Sequence, residues 1–135
     1  MKITVIDGQG GNIGKQLVKR IKESFSDQEV RAIGTNSTAT ENMLKAGADE
    51  AATGENAAIV ASRWADIIVG PIGIVIPDAL LGEVSPKMAA AIGSSNAQKI
   101  LIPLNLCDVL IPGTDHKNTG ELLDDALKMI RAIIK

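Results

Sequence analysis

A chain of 135 residues, 45% hydrophobic and 22% charged, has the length and composition of one globular domain and not of a disordered or multidomain protein. Its net charge of −2, from 14 basic and 16 acidic residues, and its lack of tyrosine offer neither the positive surface nor the stacking rings that nucleic acids require. One cysteine excludes an internal disulfide, and no apolar run approaches the roughly 18 residues of a membrane span.

Short apolar runs alternate with amphipathic helical patterns along the whole chain. Continuous apolar runs are typical of strands buried on both faces of a parallel sheet, and apolar residues at helical spacing are typical of the helices that cover it. In chain order, the predicted elements are a strand at 3–6, a helix at 13–25, a strand at 29–34, a helix at 38–47, a candidate strand at 48–53, a helix at 56–64, a strand at 65–70, a helix at 85–92, a strand at 99–104, a candidate edge strand at 108–111 and a closing helix at 118–134. This alternation predicts right-handed crossovers, and so a single α/β Rossmann-like domain with a mainly parallel sheet and helices on both faces.

Capping signals mark where three of these helices begin. Thr38 and Glu41 have the spacing of a capping box, and Asn118 with Glu121 repeats it. Ser85 precedes a proline, which is the usual order of an N-cap and the first helical residue. The sequence therefore predicts helix starts at these three places.

A glycine-rich loop separates the first predicted strand from the first predicted helix. Its glycines follow the pattern G-x-x-G-x-x-G, which is found in many dinucleotide-binding domains. Gly8 would allow a tight turn, Gly10 or Gly11 would let a pyrophosphate approach the backbone, and Gly14 would let helix and strand pack closely. The helix start adds N–H donors for an anion. The loop predicts a nucleotide site, or alternatively a merely structural turn, and its candidate ligand-binding residues are Gly8, Gln9, Gly10, Gly11, Asn12, Ile13 and Gly14.

The end of the second predicted strand carries no acid. Thr35, Asn36 and Ser37 stand where a dinucleotide-binding domain usually has an Asp or Glu for the ribose 2′-hydroxyl. Their polar side chains suit a 2′-phosphate, or alternatively they serve only as turn and helix cap. On the first interpretation, NADP binds at least as well as NAD.

A second candidate wall of the site follows the fourth predicted strand. Gly70, Pro71 and Ile72 leave that strand at its carboxyl end, next to the first strand if the strand order is the usual doubly wound one. Such a switch point is where these sheets bind ligands, although a structural turn explains the same residues equally well. Asn105, at the end of the next predicted strand, would be the nearest polar side chain.

Several features argue against an ordinary dehydrogenase. A Tyr–Lys pair, as in short-chain dehydrogenases, is excluded because the chain has no tyrosine. The one histidine, His116, lies in a polar stretch that predicts a solvated loop. Cys107 is expected to be a buried structural thiol, with a reactive thiol as the alternative. The sequence therefore assigns no catalytic residue and no metal ligand.

Several segments together resemble a small bacterial family of Rossmann-like proteins, domain of unknown function 3842. The resemblance covers nearly the whole chain and is least distinctive in the last helix. It implies a compact stand-alone protein and brings no reaction or catalytic residues with it. The family often has glycine at position 12, so Asn12 is a departure, which leaves the glycine spacing intact. The segments that carry the resemblance are 6–15, 46–49, 52–56, 65–75, 81–86 and 102–105.

These observations predict one Rossmann-like domain over residues 1–135 that binds a small-molecule nucleotide, NADP or NAD, as a binding or sensing module. Two alternatives stay open: a small oxidoreductase whose site forms between subunits with Asn105 or Cys107, and an interaction protein without a ligand. The apolar stretch 72–81 predicts a subunit contact in a homodimer. We expect a cytoplasmic protein that binds neither nucleic acid nor membrane.

Overall fold

The computed structural model describes residues 1–104 and 108–135, in which strands and helices alternate. The elements are β1 (Lys2–Asp7), α1 (Asn12–Ser24), β2 (Glu29–Gly34), α2 (Ser37–Lys45), β3 (Glu50–Thr53), α3 (Glu55–Trp64), β4 (Ile67–Pro71), α4 (Pro86–Gly93), β5 (Gln98–Ile102) and α5 (Thr119–Ile134). A short 3-10 helix (Ile72–Val75) follows β4, and residues 76–85, here called the 76–85 loop, connect it to α4.

The five strands of the described residues form one parallel sheet in the order β3-β2-β1-β4-β5. β1 is central and pairs with β2 on one side and with β4 on the other. The direction in which successive strands are added therefore reverses between β1 and β4. This is the switch point outside which such sheets bind ligands. The predicted α/β fold with a parallel sheet and helices on both faces is confirmed.

Two hydrophobic clusters sandwich the sheet, because successive residues of a strand point to opposite faces. Ile3 and Val5 of β1 pack on the face covered by α1 and α5, whereas Ile6 packs on the face covered by α3 and α4. All three residues are fully buried. Burial on both faces explains why β1 is a nearly continuous apolar run in the sequence.

No helix of residues 1–104 and 108–135 has the length and apolar character needed to cross a membrane.

The helix caps agree with the sequence in two cases out of three. Both hydrogen bonds of the capping box form between Asn118 and Glu121, and the Ser85 side chain accepts from the N–H of Met88. The start predicted at Thr38 is wrong. Asn36 caps α2 instead: its backbone is extended, and its side chain accepts from the third residue beyond it.

The candidate edge strand at residues 108–111 is not part of the sheet. Within the described residues the sheet ends at β5, and this stretch has only an isolated bridge residue at Val109. Leu110 is 91% exposed. Pro112 follows two residues later and has no N–H to donate, so the stretch is too short for a hydrogen-bonded ladder.

The apolar stretch at 72–81 is largely accommodated within the subunit. Ile74 is fully buried on the α3 and α4 face, and most of its apolar neighbours are half-buried there. Leu81 is 96% exposed. One exposed leucine is ordinary on a protein surface. The homodimer therefore stays a prediction, which light scattering at tens of micromolar protein would test.

Candidate functional site

The glycine loop, residues 8–14, lies at the carboxyl end of β1 and leads into α1. The residues that follow β2 and the 76–85 loop after β4 both contact it there. Asn36 donates a hydrogen bond to the Gln9 carbonyl at 2.8 Å, and Asn42 of α2 donates to the Gly10 carbonyl at 2.8 Å. Two successive carbonyl groups of the loop are thus held from the side of α2, which fixes the loop backbone.

Gly10 and Gly11 have different roles in this loop. Gly11 adopts a φ of 70°, which disfavours any side chain. A Cβ on Gly11 would also lie 2.8 Å from the Cα of Ala39 in α2. A Cβ on Gly10 would meet nothing within 4 Å. Of the two glycines that were candidates for close approach of a pyrophosphate, Gly10 is therefore the open one, and Gly11 faces α2.

Neighbouring atoms leave no space for a side chain at Gly14 or at Gly8. A Cβ on Gly14 would lie 2.5 Å from the sulfur of Met43 and 2.8 Å from the Cβ of Asp7, which confirms the predicted close approach of helix and strand. A Cβ on Gly8 would lie 2.8 Å from Glu83 Oε1 and even closer to the hydroxyl of Thr35. Gly8 is thus covered by neighbouring side chains.

The side chain of Asp7 occupies the start of α1. One oxygen accepts from the N–H of Gly8 at 2.8 Å and the other from the N–H of Gly14 at 2.7 Å, inside the protein. Burial raises the pKa of Asp7, the hydrogen bonds from Gly14 and Gly8 lower it, and the nearby Glu83 raises it again, so that the net change is upward. The carboxylate of Asp7 therefore takes part of the helix start that the sequence predicts as a donor site for an anion.

Two N–H groups of the glycine loop remain available. Those of Gly8, Gln9, Gly11 and Gly14 each donate to an acceptor of the chain. The N–H of Ile13 also interacts with the Asp7 carboxylate, whose pKa it lowers. The N–H groups of Gly10 and Asn12 donate to no acceptor within residues 1–104 and 108–135. Both residues are exposed. The loop therefore presents two unpaired donors to solvent, next to the open position of Gly10.

Glu83, from the 76–85 loop, contacts the same region from the other side. Its Oε1 accepts from the Thr35 hydroxyl at 2.5 Å, from the Gln9 N–H at 2.8 Å and from the Asn36 side chain at 2.9 Å. Desolvation pushes the pKa of Glu83 upward, but the hydrogen bonds from Thr35, Gln9 and Asn36 outweigh it, and the net shift is downward. Three donors thus converge on one carboxylate oxygen beside the glycine loop.

No acid follows β2 in the sequence, as predicted, but the structure brings the carboxylate of Glu83 to this place from the 76–85 loop. Thr35 and Asn36 both donate to the carboxylate of Glu83. A 2′-phosphate at these residues would meet that negative charge, so the expected preference for NADP loses its basis. Asn36 also caps α2, as one of the alternatives predicted, and Ser37 is the exposed first residue of that helix.

The residues at the end of β4 have a structural reason for their identity. Gly70 is buried beside β1, and a Cβ on it would collide with the backbone oxygen of Ile6. Pro71 is the buried last residue of β4, and Ile72 is half-buried at the start of the 3-10 helix. A role of these three residues as a ligand wall stays a prediction. The predicted contributions of Asn105 and Cys107 lie outside the described residues.

The 76–85 loop has an ordered but unusual backbone. Asp78 and Val84 are joined by a hydrogen bond of 2.7 Å from N–H to carbonyl, and the fully buried Val84 anchors the loop in the core. Leu80 and Leu81 have φ values of 57° and 58°, which bulky residues rarely adopt. Such strain persists only where the surroundings hold it in place. No spacing rule in the sequence connects this loop to the glycine loop, and Glu83 was therefore missed.

Metal ligands and general acids are scarce around the site. No group of three His, Cys, Asp or Glu side chains suited to a metal ion occurs in the described part of the chain. His116 is exposed in the loop before α5, as the sequence predicts. The acidic side chains that contact the glycine loop, among the described residues, are those of Asp7 and Glu83.

A parallel sheet in this order, with a glycine loop between its central strand and first helix, defines a Rossmann-like α/β protein. The chain belongs to the family described as Domain of unknown function (DUF3842), whose model matches residues 2–135, and the resemblance drawn from the sequence is confirmed. No curated protein matches the chain significantly. Among solved structures, it is similar to a dodecameric FMN-dependent UbiX-like decarboxylase from Escherichia coli O157:H7, with a TM-score of 0.49 and 15% identity over 97% of this chain and 77% of that chain.

Proposed function

We propose that this protein binds a nucleotide, foremost a dinucleotide of the NAD type, with its phosphate groups at the glycine loop. The observation that carries the proposal is the pair of unpaired N–H groups of Gly10 and Asn12, beside a glycine with open space above it. Phosphate oxygens are strong acceptors, and N–H groups at the start of a helix are suitable donors for them. The two donors stand at the switch point of the sheet.

The loop backbone is already arranged for such a ligand. Asn36 and Asn42 hold two of its carbonyl groups, so few backbone degrees of freedom remain to be lost on binding. Lys15, exposed in the first turn of α1, adds a positive charge next to Gly14. The buried carboxylate of Asp7 acts against an anion, which favours a ligand that also contacts the sheet edge over a free phosphate ion.

Binding or sensing is proposed in preference to hydride transfer by the chain's own residues. The chain has no tyrosine, and His116 is exposed in the loop that precedes α5. Beside the glycine loop, Asp7 is occupied by two backbone N–H groups and Glu83 by three donors. These hydrogen bonds fix the loop backbone in place beside the proposed ligand, which is what a binding module needs.

Titration calorimetry of the wild type and of Gly10→Asp with ADP, NAD and inorganic pyrophosphate tests this proposal. An aspartate at position 10 has space but places a negative charge beside the two free donors. We expect wild-type binding and a loss of at least about tenfold in affinity, or 1.4 kcal/mol, in Gly10→Asp. Gly93→Asp adds the same charge at the far end of α4, also in open space, and is the matched control.

The titration of the wild type is the first test of the proposed nucleotide binding. Heat of binding from none of the ligands would leave the glycine loop as a packing device, and the proposal would be wrong. Equal weakening by Gly10→Asp and Gly93→Asp would show that only net charge matters, which would place the ligand elsewhere.

A further inference from the structure

We propose that Glu83 recognises the ribose of the bound nucleotide and selects a sugar with a free 2′-hydroxyl over a 2′-deoxy or 2′-phosphorylated one. This inference rests on the proposed function and specifies which nucleotides the same site accepts. The inference assigns the sugar contact to the 76–85 loop, whereas the sequence pattern assigned it to the residues after β2. The two oxygens of the Glu83 carboxylate carry the inference, because they have different surroundings.

One oxygen of Glu83 is saturated and the other is free. Oε1 accepts from Thr35, the Gln9 N–H and Asn36. No donor in residues 1–104 and 108–135 reaches Oε2. A carboxylate oxygen offers about two lone pairs, so Oε1 has none left for a ligand. The three bonds thus fix the orientation of the carboxylate and leave Oε2 as an acceptor with no partner among the residues that the structure describes.

The position of the Glu83 carboxylate fits the sugar of a nucleotide. Glu83 Oε1 lies 2.8 Å from the place where a Cβ of Gly8 would be, and its side-chain donors come from the residues after β2. In dinucleotide-binding α/β folds, an acid after the second strand accepts from the ribose hydroxyl at this edge of the sheet. Here Thr35 and Asn36 follow β2 and hold an acid supplied by another loop.

The negative charge of Glu83 and the anchoring of its loop by the neighbouring residue support the same role. The three hydrogen bonds hold the pKa of Glu83 below its ordinary value, so the side chain is an anion at neutral pH and accepts from a hydroxyl. It repels a 2′-phosphate. The neighbouring Val84 is fully buried, and this anchor keeps the carboxylate against the glycine loop.

Binding of ADP, 2′-deoxy-ADP and adenosine 2′,5′-bisphosphate to the wild type and to Glu83→Gln tests the assignment. Glutamine keeps one oxygen for Thr35, Gln9 and Asn36 but replaces the free oxygen by an NH₂ donor. We expect the wild type to bind ADP about tenfold or more tightly than 2′-deoxy-ADP, as a hydrogen bond to a charged group allows. In Glu83→Gln the ratio should fall towards one, and the 2′-phosphorylated ligand should gain affinity.

Glu29→Gln is the matched control. Glu29 is an exposed acid at the amino end of β2, whereas the glycine loop lies at the carboxyl ends of the strands. Glu29→Gln removes the same charge and should leave the ligand ratios unchanged. Thermal unfolding checks that both variants fold. If Glu83→Gln does not fold, the wild type alone still tests the inference, because equal affinities for ADP and 2′-deoxy-ADP would overturn it.

The possible failures are distinguishable. Absence of binding by all three ligands to the wild type overturns the proposed function and this inference together. Equal binding of ADP and 2′-deoxy-ADP overturns this inference alone. Tighter binding of every ligand, and of inorganic pyrophosphate, to Glu83→Gln would show that Glu83 occupies a phosphate position and competes with the ligand, which also overturns the assignment.

Discussion

The carboxylates of Asp7 and Glu83 both lie beside Gly8. Asp7 accepts from the N–H of Gly8 at 2.8 Å, and Glu83 Oε1 lies 2.8 Å from the place where a Cβ of that glycine would be. The two groups reach this point from different elements, the end of β1 and the 76–85 loop. Burial raises the pKa of Asp7 and the repulsion by Glu83 adds to it, whereas the hydrogen bonds keep the pKa of Glu83 low.

The raised pKa of Asp7 predicts an unusual pH dependence of stability. An acid whose pKa rises on folding holds its proton more tightly in the folded state, so the free energy of unfolding decreases as pH rises from its ordinary value of 3.8 through the folded pKa. Asp7→Asn lacks this proton. We expect the difference in unfolding free energy, variant minus wild type, to increase with pH over this window.

Urea unfolding at a series of pH values measures that difference. Gly93→Ala changes no titratable group and serves as the control for which the difference is flat. A difference that decreased with pH for Asp7→Asn would mean that the N–H groups of Gly8 and Gly14 outweigh burial.

Gly11→Ala should destabilise the protein, whereas Gly10→Ala should have little effect on its stability. Gly11 has a positive φ and faces Ala39, so Gly11→Ala should destabilise the protein by at least about 1–2 kcal/mol. Gly10→Ala, in open space, should stay within about ±0.5 kcal/mol. Chemical denaturation of the two variants is the measurement. Equal effects would show that the loop backbone differs from the one described.

Gly70 should tolerate no side chain. A Cβ there collides with the backbone oxygen of Ile6, which belongs to the central strand and has no room to move. We expect Gly70→Ala to lower the free energy of unfolding by about 1–3 kcal/mol, as overpacking does. Gly93→Ala, which meets nothing within 4 Å at the end of α4, should be neutral or slightly stabilising. Similar midpoints for the two variants would contradict the close pairing of β1 and β4.

Ile130 of α5 should contribute strongly to the core. It is fully buried on the face shared with α1, so Ile130→Ala should cost about 2–5 kcal/mol of unfolding free energy. Met129, one residue earlier, is 54% exposed, and Met129→Ala should stay within about ±0.5 kcal/mol. Denaturant midpoints compare the two. A small effect at Ile130 would mean that α5 is rotated relative to the sheet.

Local patterns in the sequence predict most of the fold and only part of the site. The apolar run of β1 and the helical spacing in α1 and α5 are short-range signals, and the glycine pattern correctly placed Gly14 between helix and strand. The choice of Asn36 over Thr38 as cap was not decidable locally, because both residue types suit the position. It is settled by tertiary hydrogen bonds that Asn36 makes to Gln9 and Glu83.

The acid of the site was beyond prediction for a related reason. The hydrogen bond from the Gln9 N–H to Glu83 joins positions 74 residues apart, and the 76–85 loop has no periodic pattern. Its location depends on the burial of Val84 and on left-handed leucine residues, which local propensity argues against. Long-range packing decided the conformation there.

The Gln9 amide proton has a consequence for hydrogen exchange. Its acceptor in the described residues is the side chain of Glu83, so withdrawal of the 76–85 loop alone exposes it to solvent. The amide of Ile6, inside the central strand, exchanges only when the sheet itself opens. Comparing the two exchange rates therefore separates the free energy of loop opening from that of global unfolding, residue by residue and without any ligand.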